Sequence, residues 1–261
     1  MHILLQTFDR CLGYVLETVV LVDLSVQGIL RFQGEDRLTE ASVNLRRFRN
    51  PDIPEEELAR EIARAREVAE FARDQAVRGF DLLYAHAIVG LWGALETAVT
   101  DFFVRFLLHS PQALANETVQ KVRIPLAEFE SLESEDRMRV VVDELERTLR
   151  SQYKSGIERF EGLFATFGLS SEVPSEVRQT LFEMFHIRNV IAHRNLLADR
   201  RLVAACPWLP YVPGETIKLS INRFLDYYKA LARYLEILSN RVKRFLETQE
   251  ISCNQASAAD D

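Results

Sequence analysis

Two residue types able to do acid–base and anion chemistry stand close together in the stretch FEMFHIRNVIAHRNLL, residues 182–197. They are Arg188 and His193, with Asn189 beside the first. A guanidinium keeps its charge in any folded protein and offers a planar fork of donors to an anion. An imidazole, with a reference pKa of about 6.5, can take or give a proton near neutrality. The stretch otherwise reads as a packing helix, so its polar members need a reason to be there.

On a helix turning about 100° per residue, Val177, Leu181, Met184, Ile191 and Ala192 form an apolar stripe, and Arg188 falls inside it. His186, Asn189 and His193 gather on another face, roughly 100–140° away. Asn189 and His193 are i and i+4 and therefore stacked neighbours. A ligand along that edge could touch Arg188, Asn189 and His193 together. A guanidinium on a packing stripe needs an anion or a water-filled cleft, because it cannot shed its charge. Glu96 is the candidate anion, set on its own apolar stripe with Trp92, Val99 and Phe103. Two plainer readings stay open. Glu96 and Arg188 could be a purely structural pair, and His193 could simply answer the negative end of a helix dipole. His186 shares a face with His193 and could line the same cleft. The two histidines stand at i and i+7 with no acidic ligand well placed, which argues against a metal site, and no cofactor is expected.

The elements around this helix read as helices too. Residues 3–32 carry Leu5, Phe8, Leu12, Val15, Val19, Val22, Val26 and Ile29 on a broad apolar face. The stretch QGEDRLTEASVNLRRFRNPDIP, residues 33–54, breaks that period and reads as a linker. Pro54 and the three glutamates after it open a helix to about Gly79, with an alanine stripe that implies a close helix approach. A second long helix spans about 81–109 and stops before Pro111. Two shorter pieces follow, the second ended by Gly168, and Pro174 opens the helix with the odd residues. A Pro-rich loop with TIKLS as a short extended piece leads to a closing helix over 221–248. The expected organisation is all-α. An N-terminal helix and connection occupy 1–53, an up-and-down bundle 54–248, and a disordered tail 249–261.

Composition sets limits on function. Pro and Gly number only 8 and 10 in 261 residues, which favours long helices with few connections. The net charge of −7 gives no global attraction for nucleic acid, so any such binding must be a local basic patch. Arg194, Arg200, Arg201 and, further on, Arg223 are the candidates for that patch. Three scattered cysteines, Cys11, Cys206 and Cys253, read as free thiols of a reducing compartment. The apolar N-terminus is interrupted by Asp9, Arg10, Glu17 and Asp23, so neither a signal peptide nor a membrane span is expected there. The absence of a Gly-rich phosphate loop ranks a small-molecule nucleotide binder last.

RNVIAHRN, residues 188–195, resembles the R-x4–6-H signature of the HEPN superfamily, in which a polar residue often follows the arginine, here Asn189. LWGALETAVTDFF resembles the early HEPN helix that carries an acidic residue, here Glu96. The likeness covers roughly residues 80–248. It implies a dimeric up-and-down helical bundle, to which this chain adds an N-terminal helical extension with no counterpart in the likeness; a location in the cytoplasm is expected from the free thiols. The likeness further implies a metal-independent endoribonuclease, of the kind found as toxins or antiviral effectors, with an antitoxin or other regulatory protein as partner. Arg188, Asn189 and His193 would be its catalytic residues, supported by Glu96, in a cleft between two protomers. RNA would be held by Arg194, Arg200, Arg201 and Arg223. The rival expectation is a non-catalytic helical module for dimerisation or protein interaction, since fold does not fix function.

Overall fold

The computed structural model describes residues 2–125, 129–149 and 156–257, with side chains over 3–248 of these. Among them the structure is all-α, and the only β pairing is one isolated antiparallel bridge between Leu197 and Thr216. The long helices are α1 (His2–Arg31), α2 (Glu35–Arg49), α3 (Glu55–Arg78) and α4 (Asp81–His109). Two single-turn helices, α5 (Pro111–Leu114) and α6 (Glu117–Gln120), follow. Then come α7 (Ser134–Leu149), α8 (Glu158–Thr166), α9 (Ser175–Arg194), the short α10 (Arg200–Ala205) and α11 (Ile221–Ser257).

Helix α4 is the axis of the molecule. It is apolar nearly all round, which a helix sustains only when neighbours cover it. The cover comes from α1, α7, α9 and α11. Trp92, Leu95, Val99, Phe102 and Phe103 on α4 are almost wholly buried. Phe102, Phe103 and Phe106 pack against Phe8 of α1, Phe164 of α8 and Phe167, at ring separations of 4.8–5.5 Å. Each such buried ring contributes about 1.5–3 kcal/mol by leaving water. By length and composition the stretch Ile3–Arg49 and helix α4 are each apolar enough to cross a membrane; half of the apolar window of α4 is buried in the core, against 11% of the N-terminal one.

The N-terminal region differs from the sequence reading in two respects. First, α1 is a layer of the bundle, with Leu4, Phe8, Cys11 and Val15 in the common core. Second, the expected linker is largely helix α2, which folds back on α3. Its apolar content is thin: Val43 alone is buried. Exposed ion pairs, each worth about 0–1 kcal/mol, line the seam instead. Arg46 meets Glu61, Arg47 meets Glu55, Arg66 meets Glu40 and Arg73 meets Asp36, all between α2 and α3. A pattern search for apolar period misses a helix held this way. On α3 the alanine stripe is real, with Ala65, Ala69 and Ala72 buried. Gly79 ends α3 at φ 69°, and Phe80 adopts φ 60° to turn the chain into α4.

The C-terminal half places α9 between α4 and α11. Its buried face is Val177, Leu181, Met184, Ile187 and Val190, rotated slightly from the expected stripe, since Ile191 is only partly covered and Ala192 is exposed. Helix α11 runs to Ser257, well past the expected end at 248, and residues 258–261 lie outside the described ones. TIKLS contributes the single bridge at Thr216 rather than a strand. Cys11 and Cys206 are buried thiols whose pKa burial pushes up to about 12, so both are inert.

One buried ion pair ties α8 to α11. Arg241 donates to both oxygens of Glu161 at 2.9 and 2.8 Å, while the Tyr234 hydroxyl donates to the same carboxylate at 2.6 Å. The guanidinium also donates to Ser171 Oγ and to the Ser171 carbonyl. Burial, with Glu161 adjacent, holds the Tyr234 phenol well above its ordinary pKa. Removing one partner strands the other charge, at a cost of about 3–5 kcal/mol. Arg241→Met should therefore lower the melting temperature by roughly 6–20 °C. The double replacement Arg241→Met with Glu161→Leu should recover part of that loss. Calorimetry on the three proteins checks this, and an unchanged melting point for Arg241→Met contradicts it.

Candidate functional site

Helix α9 carries its polar residues on two sides. Arg188 faces α4, where its Nη2 donates to Glu96 Oε2 at 2.9 Å. The other oxygen of Glu96 accepts from Trp92 Nε1 at 2.9 Å and from Arg159 Nη2. Glu96 thus joins two guanidiniums, from α8 and α9, on one carboxylate of α4. Both arginines are largely sheltered, with side-chain exposures of 17% for Arg159 and 22% for Arg188. Arg159 also lies over the Phe160 ring, 4.6 Å from its centre. The group keeps one net positive charge, and the Nε of each arginine is buried without a partner among the described residues.

The second side of α9 forms a cleft of about 480 Å³ against the segment that follows it. From α9 come Phe185, His186, Asn189, Val190, His193 and Arg194, and the facing wall is Asp199, Arg201 and Leu202. Asn189 belongs to both sides: it lines the cleft and accepts from Arg188 Nη1 at 3.1 Å.

The facing wall depends on an unusual turn. Asn195 (φ 49°) and Leu196 (φ 66°) are both left-handed. Asparagine tolerates this as a helix stop, but for leucine it costs roughly 1–2 kcal/mol. A short ladder offsets that cost: Ile217 N donates to the Leu196 carbonyl, Ala198 N to Glu215, and Gly214 N to Ala198, each at 2.8 Å. Asp199 then caps α10 by accepting from Leu202 N at 2.8 Å, which sets Arg201 and the buried Leu202 against α9. The following loop is pinned by Glu183, whose buried carboxylate accepts from Trp208 Nε1 and the Tyr227 hydroxyl, both at 2.6 Å.

Of the residues singled out in the sequence, Asn189, His193, Arg194 and Arg201 come together in the cleft. Arg188 does not line it and sits on Glu96 instead. Arg200 starts α10 on the exposed side and is not among the cleft residues. Arg223 is engaged elsewhere, its Nη1 2.9 Å from Glu183. Arg159 was not foreseen, and only its place before an aromatic in an amphipathic piece hinted at it. His186 lines the cleft with His193, and burial lowers its pKa, with Asp199 pulling in the opposite sense. Among the described residues no three metal-ligating side chains converge.

Glu96→Gln keeps the shape but leaves Arg159 and Arg188 facing each other with no intervening charge. The carboxylate is 27% exposed, so the expected loss is about 1–3 kcal/mol, below that of a fully buried pair. Arg159→Gln in the same background should restore part of it. A Glu96→Gln protein as stable as the parent in denaturant unfolding would remove Glu96 as the link between the two arginines.

Set against protein-family models, curated proteins and solved structures, the chain matches none of them.

Proposed function

We propose that the chain is a metal-independent endoribonuclease of HEPN type, a toxin or defence effector acting in the cytoplasm. The observation that carries this reading is the cleft where Asn189, His193, Arg194 and Arg201 converge beside the anchored Arg188. It is locally basic although the chain is acidic, so it is where a phosphate would be held.

The reaction needs a base for the ribose 2′-OH, an acid for the leaving 5′-oxygen, and cations for the phosphate. His193 is exposed at the cleft rim and can exchange a proton in either role. The 2′-oxygen attacks phosphorus, the bond to the 5′-oxygen breaks, and the products are a 2′,3′-cyclic phosphate and a 5′-hydroxyl. Arg194 and Arg201 hold the phosphate oxygens as charge builds. Within one protomer Arg188 is committed to Glu96 and Asn189, so its part is to position Asn189. A second copy supplies the second histidine, which makes the enzyme a homodimer with RNA as substrate and an antitoxin-like regulator as partner.

A second reading, a non-catalytic interaction module, rests on the outer face of α1, where Leu16, Val20, Leu21 and Leu24 follow one another at helical spacing and are 48–63% exposed. Such apolar side chains in water are typical of a surface that meets another protein.

His193→Ala separates the two readings. The nuclease reading expects RNA cleavage to vanish, in buffer with EDTA as without it, while the melting temperature and light-scattering mass stay those of a dimer. Full cleavage by folded His193→Ala, or a strict monomer at micromolar concentration, would sink the proposal. Reversing Arg194 and Arg201 to Glu should weaken RNA binding and flatten its salt dependence. On single strands the slope should fall by roughly 0.7 for each phosphate the protein ceases to neutralise. An unchanged slope would put the RNA elsewhere on the surface.

A further inference from the structure

Helix α1 carries more apolar surface than its packing uses. Leu4, Phe8, Cys11, Val15 and Val22 enter the core. On the other side Leu16, Val20, Leu21 and Leu24 stand in water. A contiguous apolar run of this kind marks a contact surface. The order of residues along it identifies what it contacts. At about 100° per residue, Asp9, Gly13, Leu16, Leu24, Gln27 and Arg31 all fall within roughly 40° of the line through Val20. The series is balanced about Val20. Leu16 and Leu24 stand four residues to either side, Gly13 and Gln27 seven, and Asp9 and Arg31 eleven.

A second α1 laid antiparallel on the first, with a two-fold axis at Val20, therefore brings unlike ends together. Leu16 of each copy meets Leu24 of the other, the two Val20 side chains meet on the axis, and each Asp9 meets an Arg31. Asp9 and Arg31 are exposed and have no ion-pair partner among the described residues. Gly13 has open space where a Cβ would stand, so the second helix can come close to its backbone. Glu17 and Asp23 lie about 60° to opposite sides of the line and stay in water on opposite flanks of the pair. With Asp9 they give α1 three carboxylates against two arginines, Arg10 and Arg31, which is the wrong balance for an anionic bilayer.

We propose that the outer face of α1 is a contact between two copies of this chain, antiparallel and centred on Val20. The contact is independent of what the cleft does. The cleft opens on α9, and α1 and α9 both pack on α4 and α11, which lie between them. Two copies joined at their clefts keep their α1 faces free, and the α1 contact joins such pairs to one another. One helix face from each copy makes a small interface, at the low end of specific contacts, so it forms above the micromolar range.

Single cysteines placed in the full chain, in a Cys253→Ser background, test this with a short bis-maleimide. Cys11 and Cys206 are buried and stay silent. Val20→Cys should join to its own copy. Asp9→Cys should not, because its two copies stand ~33 Å apart along the axis, but mixed with Arg31→Cys it should give the mixed product. In sedimentation the mass of wild type should rise with concentration above the micromolar range, and Leu24→Glu should abolish the rise without lowering the melting temperature. Asp9→Arg should raise the concentration of half-association by roughly three- to tenfold, and adding Arg31→Asp should restore it. Asp9→Cys joining itself as readily as it joins Arg31→Cys overturns the antiparallel contact. So does a mass that rises equally in Leu24→Glu, or one that never rises while Val20→Cys stays uncrosslinked. Binding of wild type but not Leu24→Glu to phosphatidylglycerol vesicles, with no crosslink at Val20→Cys, would assign the face to a bilayer instead. None of these results touches RNA cleavage, which keeps its own test in His193→Ala.

Discussion

The carboxylate of Glu96 fixes the register of three helices. It is the anion that allows α8 and α9 to bring arginines to the apolar axis helix α4. Without it, Arg159 and Arg188 would repel each other in a sheltered place, against the apolar packing that holds α8 and α9 in position. Because Arg188 also donates to Asn189, the same link reaches the cleft on the other side of α9. A residue sheltered for packing reasons thereby sets the position of a polar side chain that lines an open cleft. Glu161 and Glu183 repeat the device, joining α8 and α9 to α11 through Arg241, Arg223 and two tyrosines. In each case donors surround one carboxylate, so the desolvated charge has partners on several sides.

This device also accounts for the charge balance. The chain carries −7, yet many of its acidic groups are drawn inward or into pairs where they bind helices to one another. Glu40, Glu55 and Glu61 hold the α2–α3 hairpin, and Asp101 meets Arg139 between α4 and α7. Arg194 and Arg201 line the cleft with a single acid, Asp199, whose oxygen is turned to capping α10. Local potential, not net charge, is what an approaching anion meets within a Debye length of about 8–10 Å.

How legible this was depended on the kind of force involved. Helices driven by an apolar period, α1, α4, α9 and α11, were readable from spacing, as were stops at Gly79 and Gly168 and starts after Pro54 and Pro174. Helix α2 was not, because it has one buried apolar residue and is held by ion pairs to a neighbour whose placement no local pattern reveals. At the site, spacing along one helix placed Asn189 and His193 on a common face, and the isolated acid and base on two apolar stripes pointed to each other. What spacing could not give was the direction of the chain after Asn195. A left-handed leucine held by a remote ladder decides that Arg201 faces the cleft and Arg200 does not. Arg223 was drawn away by Glu183, a buried acid that reads in sequence as an ordinary member of a helix.

The cleft wall is thus the least local part of the molecule. One side is a regular helix with a buried face. The other is a strained turn, a six-residue helix and a loop pinned by Trp208 on Glu183. Leu196 would relax if the bonds to residues 214–217 were broken, and Arg201 would move with it. The same segment carries Leu202, whose burial forms the apolar floor opposite Phe185. Packing, ladder and cap therefore act on one object, the distance between α9 and α10, and that distance sets what can enter between His186 and His193. Phe80, at φ 60° between α3 and α4, shows that such a conformation can serve a turn alone; at Leu196, which also packs on the core, the turn is the one that brings Arg201 and Leu202 against α9.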